Sequence, residues 1–266
     1  MNKFTLAFAL GTGLTLSLAA PPVKAAPIIE SLSPQEVSSA TFNSLFQAVD
    51  NAPVLTQSIS LANKEGTGQT AGTISSEVFQ GTGAAAGLYA YAYQLSVAPT
   101  ALDSANSSPM HLDGTSFIFN GNPTKTSVLG PDSSTFLVKD GTIGGLSPLP
   151  NGVTPNSLSF QVDGDPNKLT GSLRANFVDP KTGVPPLNPG DNSATFVVIS
   201  SQPFAQSFVN VTSSTPQVGA LTAVYAADGV VSPVPAPEPT TILAWAGMAG
   251  ALALVRRVRK SRTPIA

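Results

Sequence analysis

His111 is the only histidine in 266 residues, and there is no cysteine. A Ser-His-Asp hydrolase would have to use His111 as its base. It lies in Ser108-Pro109-Met110-His111-Leu112-Asp113-Gly114, which reads as a surface loop entering a hairpin, and no Gly-x-Ser-x-Gly elbow occurs anywhere. One imidazole and no thiolate starve a transition-metal centre of ligands. Paired carboxylates remain, the pair that glycoside hydrolysis needs. Glu30, Glu36 and Glu65 fall in the helical or loop-rich start, and Glu77 alone falls on an expected strand. Most aspartates precede Gly or Pro, where turn formation explains them. The expectation is a chain with no catalytic residues and no cofactor, with a glycoside hydrolase-type enzyme the third choice.

Two other constellations bear on binding. Asp163-Gly164-Asp165-Pro166-Asn167 puts oxygen ligands at alternate positions, as a calcium loop does. Lys168 and Arg174 stand where an EF-hand would place Gly and Glu. Asp163, Asp165 and Asn167 are thus a weak calcium candidate against a polar hairpin turn. Tyr89, Tyr91 and Tyr93 fall on one face of a strand, continued by Leu95 and Val97. Exposed, the three rings are a ligand face for sugars or a protein interface; buried, they are core. The continuation into Leu95 and Val97 favours core.

The elements that must position these groups are mostly strands. Leu158, Phe160 and Val162 alternate with Ser159, Gln161 and Asp163, and Leu173, Ala175 and Phe177 with Arg174 and Asn176. Leu221, Ala223 and Tyr225 alternate with Thr222 and Val224. Similar runs centre on Ile74–Phe79, Leu88–Val97, Phe117–Phe119, Phe136–Val138, Phe196–Ile199 and Phe208–Val211. Asp113-Gly114, Asn120-Gly121, Asp140-Gly141, Asn151-Gly152 and Asp228-Gly229 supply turn signals between them. One helix precedes the strands. Ser33-Pro34-Gln35-Glu36 reads as its capping box, and Phe42, Leu45, Phe46 and Val49 as its apolar stripe, with Asn51 and Pro53 ending it. The fold expected is mainly β: a single antiparallel sandwich, immunoglobulin-like or jelly-roll-like, with one N-terminal helix and a C-terminal hydrophobic helix.

Both ends read as processing signals. Lys3 and the apolar run Phe4 to Leu18, followed by Pro21-Pro22 and Val23-Lys24-Ala25, form a signal peptide over residues 1–25, cleaved after Ala25 by signal peptidase. As a membrane anchor the run is short of the ~20 residues a span needs. Residues 26–230 then form the ectodomain. Residues 231–239, Val-Ser-Pro-Val-Pro-Ala-Pro-Glu-Pro, form a semi-rigid stalk. Residues 240–266 hold an uncharged run from Ile242 to Val255, closed by Arg256-Arg257-Val258-Arg259-Lys260. Fourteen helical residues rise only ~21 Å against a hydrocarbon core of ~30 Å. Flanking residues and snorkelling arginines bring the run close to spanning. The basic cluster places the C-terminus in the cytoplasm.

Pro237-Glu238-Pro239, a short span and an Arg-rich end (Arg256, Arg257, Arg259), in that order on a chain with a signal peptide, resemble the PEP-CTERM sorting signal. The plain alternative is a tail anchor. The resemblance covers about the last thirty residues. It implies an exosortase-type transpeptidase as processing partner, transient membrane insertion, and a Gram-negative or cyanobacterial-like cell that makes exopolysaccharide. A second, looser likeness lies in Gly72-Thr73-Ile74 to Phe79, Tyr89–Val97, and Leu187-Asn188-Pro189-Gly190 leading into Thr195–Ser200. These are similar to strand patterns in ectodomains that carry such tails and in immunoglobulin-like sandwiches.

Charge narrows the partners. The net of −2 hides an ectodomain with six basic residues against fourteen acidic ones, a net of −8. Such a domain repels a phosphate backbone, so no nucleic acid is expected. The function expected is a non-enzymatic structural or adhesive protein of the cell surface or extracellular matrix. A carbohydrate-binding module for exopolysaccharide is the alternative.

Overall fold

Alternation of buried and exposed side chains becomes sheet here on a large scale. The structure, a computed structural model, describes residues 28–61, 69–99, 111–149, 152–162, 170–178, 187–213 and 222–229. In chain order the elements are β1 (Ile28–Leu32), β2 (Gln35–Glu36), α1 (Ser39–Leu45), β3 (Phe46–Ala48), β4 (Leu55–Leu61), β5 (Gln69–Gly81), β6 (Tyr89–Val97), β7 (Leu112–Ile118), β8 (Thr135–Val138), β9 (Ser157–Val162), β10 (Gly171–Asn176), β11 (Thr195–Ser200), β12 (Phe204–Ser213) and β13 (Thr222–Ala227).

They form two sheets. The first runs β1-β9-β10-β7-β12-β13, all antiparallel; the second runs β2-β8-β11-β6-β5-β3, with β4 also paired to β5. Among the described residues its one parallel strand pair is β2 with β8. β5 is long enough to hold β6 on one edge while β4 and β3 share the other in succession.

Burial follows position. In β9 and β10 every second residue is buried, as expected of strands with one wet face. In β11 all six residues are buried, and in β6 nearly all, because these two strands of the second sheet are covered on both sides. Its inner face meets the first sheet in one cluster, where Tyr91, Tyr93, Leu95 and Phe196 pack with Phe117, Phe160, Leu173 and Val209. Its outer face carries a second cluster, in which Phe42 and Phe46 lie on Phe79, Ala90, Ala92 and Val197, flanked by Ile143 and Leu146. The small Ala90 and Ala92 leave room for this aromatic group, in which Phe42 stacks on Phe46 at 5.1 Å and meets Phe79 edge-on at 5.0 Å.

The N-terminal helix is shorter than its sequence pattern suggests and starts later. Gln35 and Glu36 are strand, paired with Phe136 and Leu137 of β8, and the Glu36 carboxylate pairs with Lys139 instead of reaching back to a cap. The cap is Ser38, whose hydroxyl accepts the Thr41 N–H at 3.1 Å. The helix ends at Leu45 because Phe46 enters β3 against Gly81. The apolar stripe therefore splits: Phe42 and Phe46 go to the outer cluster and Val49 to the inner one. Ser38→Ala is expected to cost about 1 kcal/mol of stability, read by thermal unfolding, whereas Ser33→Ala leaves the helix cap intact.

Two turn signals resolve differently. Asp113-Gly114 lies inside β7, where Gly114 pairs with Asn176, so the expected hairpin turn there is wrong. Asn188-Pro189-Gly190-Asp191 is a turn, with the Asp191 N–H on the Asn188 carbonyl at 2.9 Å. Gly190 takes φ 88°, the conformation that Gly supplies after Pro in a type II turn.

Candidate functional site

The tyrosine ladder of β6 faces inward. Tyr91 and Tyr93 are 0% exposed, and Tyr89 is half-buried against the inner cluster. Tyr91 donates its hydroxyl to the Gln202 carbonyl and Tyr93 donates to the Tyr225 carbonyl, both at 2.7 Å. Their rings meet Phe119 at 5.2 Å and Phe117 at 4.6 Å. Burial raises the pKa of both phenols and keeps them protonated. Tyr91 and Tyr93 thus tie the two sheets together as core, the reading that their continuation into Leu95 and Val97 favoured, and the alternative of a ligand face is closed to them because no sugar ring reaches either.

Glu77 of β5 sits on the opposite, outer face of the second sheet, 4% exposed. Its two carboxylate oxygens accept the Gly145 N–H at 3.1 and 2.9 Å. Burial raises its pKa, partly offset by hydrogen bonds from the Gly145 and Leu146 backbone. Gly144 has φ +55°, and a Cβ there would collide with the carboxylate. Glu77 is therefore a clamp that holds the Ile143–Leu146 turn on the sheet, enclosed by backbone. The sequence signal for it was a single Glu inside the apolar run Ile74–Phe79, matched by Gly144-Gly145 between Ile143 and Leu146.

His111 is half-buried just ahead of β7, and its Nδ1 has no hydrogen-bond partner among the described residues. Asp113 has its pKa raised by burial, with the nearby His111 opposing. The described residues contain no group of three His, Cys, Asp or Glu able to hold a metal ion. Asp163, Asp165 and Asn167 lie outside the described residues. So do Ala25, Pro237, Glu238, Pro239, Arg256, Arg257 and Arg259. No helix among the described residues is long and apolar enough to cross a membrane.

The exposed surface of interest is the outer face of the first sheet. Register sets one row across five strands: Ser31, Ser159, Arg174, Ser116 and Asn210. The next row runs Ile29, Gln161, Ser172 and Ile118, with Phe208 of β12 beside Ile118 in one shallow depression of about 230 Å³. Every one of these side chains is exposed or half-exposed; Phe208 and Ile29 are each 63% exposed and Ile118 45%. Neither row contains a carboxylate; Asp228 lies on the rim of the depression, and Glu30 lies between Ile29 and Ser31 on β1. The Arg174 side chain makes no ion pair or hydrogen bond with another described residue. Sequence alternation exposed Ser159, Gln161, Arg174 and Asn176, but it gave no sign that Ile118 and Phe208 face outward.

No protein-family model, no curated protein and no solved structure matches the chain.

Proposed function

We propose that the chain is a non-enzymatic structural or adhesive protein of the cell surface or extracellular matrix, built as a β-sandwich and delivered through its two terminal signals. The observation that carries this reading is the asymmetry between the sheets. One sheet is covered on both faces along β6 and β11, while the other presents an open face of hydroxyls, amides and one arginine, Arg174, with exposed Ile118 and Phe208. Three of the chain's buried titratable side chains are packed away: Glu77 is enclosed by backbone, and Tyr91 and Tyr93 lie between the sheets.

The delivery part rests on the sequence. Signal peptidase removes residues 1–25, the span of residues 240–266 enters the membrane transiently, and an exosortase-type transpeptidase acts near Pro237–Pro239. The mature product is then an acidic domain with a proline stalk at the cell surface or in the matrix. Mass spectrometry of the surface-located form is expected to give an N-terminus at Ala26 and a C-terminus close to Pro239. An intact tail through Ala266 would make it a plain membrane anchor.

A further inference from the structure

From the open face of the first sheet we infer that its partner is a second copy of the same chain, packed face to face about a two-fold axis. This deepens the adhesive reading above by naming the partner of that face, and it rests on that reading; it concerns a surface of the domain and not the tail.

Charge is distributed so that two copies meet where neither is acidic. The ectodomain carries a net of −8, yet neither row of the face holds a carboxylate, and the one charged side chain in them is Arg174. Glu30 on the edge strand β1 and Asp228 just past β13 stand at the rim. A centre depleted of charge inside a polar rim is the pattern of protein interfaces. A polyanion differs, because it brings its own charges into contact. Charges on the second sheet lie behind a layer about 10 Å thick, beyond the Debye length of about 8 Å at physiological ionic strength.

The strand order supplies self-complementarity. A two-fold axis parallel to the strands, between β10 and β7, sets β10 of one copy over β7 of the other, β9 over β12 and β1 over β13. The rows then superpose. Phe208 of one copy falls over Gln161 and beside Ile29 of the other, and Arg174 falls over Ser116 and not over a second Arg174. Ile29, Ile118 and Phe208 are three of the four exposed large hydrophobic side chains among the described residues, and this packing covers all three.

Area sets the strength. Six strands at about 4.8 Å spacing, each about six residues long, give a face of roughly 24 by 20 Å. A pair of such faces buries on the order of 1,000 Å², the lower end of what a specific interface needs. The dimer is therefore weak and concentration-dependent. Many copies held at one surface multiply such contacts by avidity.

The test is sedimentation of the full chain in mild detergent over a range of concentrations. The expected result is a monomer–dimer equilibrium that added salt leaves intact or strengthens, since salt screens the repulsion between two acidic domains. Phe208→Arg and Ile118→Arg are each expected to weaken it about tenfold, with unchanged circular dichroism because both side chains are exposed. The chain has no cysteine, so Ser116→Cys in the middle of the face supplies a single thiol, which a short bismaleimide is expected to link between copies. Ser58→Cys, exposed on β4 of the second sheet, is expected not to link. A monomer at every concentration overturns the inference, as does a dimer that neither arginine substitution weakens, or equal linking at the two positions. A dimer that salt dissociates is held by the basic cluster Arg256–Arg262 against an acidic domain, and overturns it too. Because processing of the tail is read separately by mass, failure of the tail reading and failure of the dimer are told apart.

Discussion

Tyr93→Ala is expected to lower the stability of the domain by about 3–5 kcal/mol, the range for removing a fully buried aromatic ring. The ring is 0% exposed, between Phe117 of the first sheet at 4.6 Å and Phe196 of the second at 5.4 Å. Its loss leaves a cavity at the junction of the two sheets. Tyr93→Phe separates the ring from the hydroxyl. It keeps the packing and leaves the Tyr225 carbonyl without its 2.7 Å donor, a smaller cost of about 1–2 kcal/mol. Urea unfolding followed by far-UV circular dichroism measures both. A Tyr93→Ala cost below about 1 kcal/mol would show that the two sheets do not share a packed core. Since most natural domains are stable by only about 5–15 kcal/mol, the expected loss removes a large part of the total.

The same strand shows what the sequence made legible. Alternation placed Tyr89, Tyr91 and Tyr93 on one face, and their continuation into Leu95 and Val97 pointed inward, as found for Tyr91 and Tyr93. The opposite face carries Ala90 and Ala92, which period-two reasoning treats as the wetter side. In fact they are fully buried, because α1 and the Ile143–Leu146 turn cover that side. Such covering depends on contacts far apart in the chain, which a local pattern does not carry. The misplaced helix start has the same cause. Gln35 and Glu36 satisfy a local capping pattern, yet pairing with β8, a hundred residues later, draws them into a strand.

The outward face was half legible for a related reason. Ser159, Gln161, Arg174 and Asn176 declare it by alternating with apolar neighbours on β9 and β10. On β7 and β12 both parities hold large apolar residues, Phe117 beside Ile118 and Phe208 beside Val209, so hydrophobicity alone does not choose a face. The ladder chooses it. Phe117 pairs with Val209 and both are buried, which turns Ile118 and Phe208 to solvent.

Glu77→Gln is expected to raise the melting temperature at about pH 7.5, whereas Glu77→Ala lowers it. Burial pushes the carboxyl above its ordinary value of 4.5, so the folded chain holds a proton there more readily than the unfolded chain does. Between 4.5 and that raised value, wild-type stability therefore falls as pH rises, and above the window the whole cost of a buried charge is present. Glutamine removes the charge while its carbonyl oxygen still accepts the Gly145 N–H. Its advantage should be largest near neutral pH and should shrink as pH falls toward about 5. Alanine removes the acceptor as well. It leaves the Gly145 N–H unpaired beneath the turn, at a cost of about 1–3 kcal/mol. Melting curves of the three proteins across this range make the comparison, and differences between variants cancel the contributions of the other carboxylates. If glutamine proved as damaging as alanine at neutral pH, the negative charge would be stabilising, and attraction to the backbone N–H groups of the turn would outweigh the cost of burial.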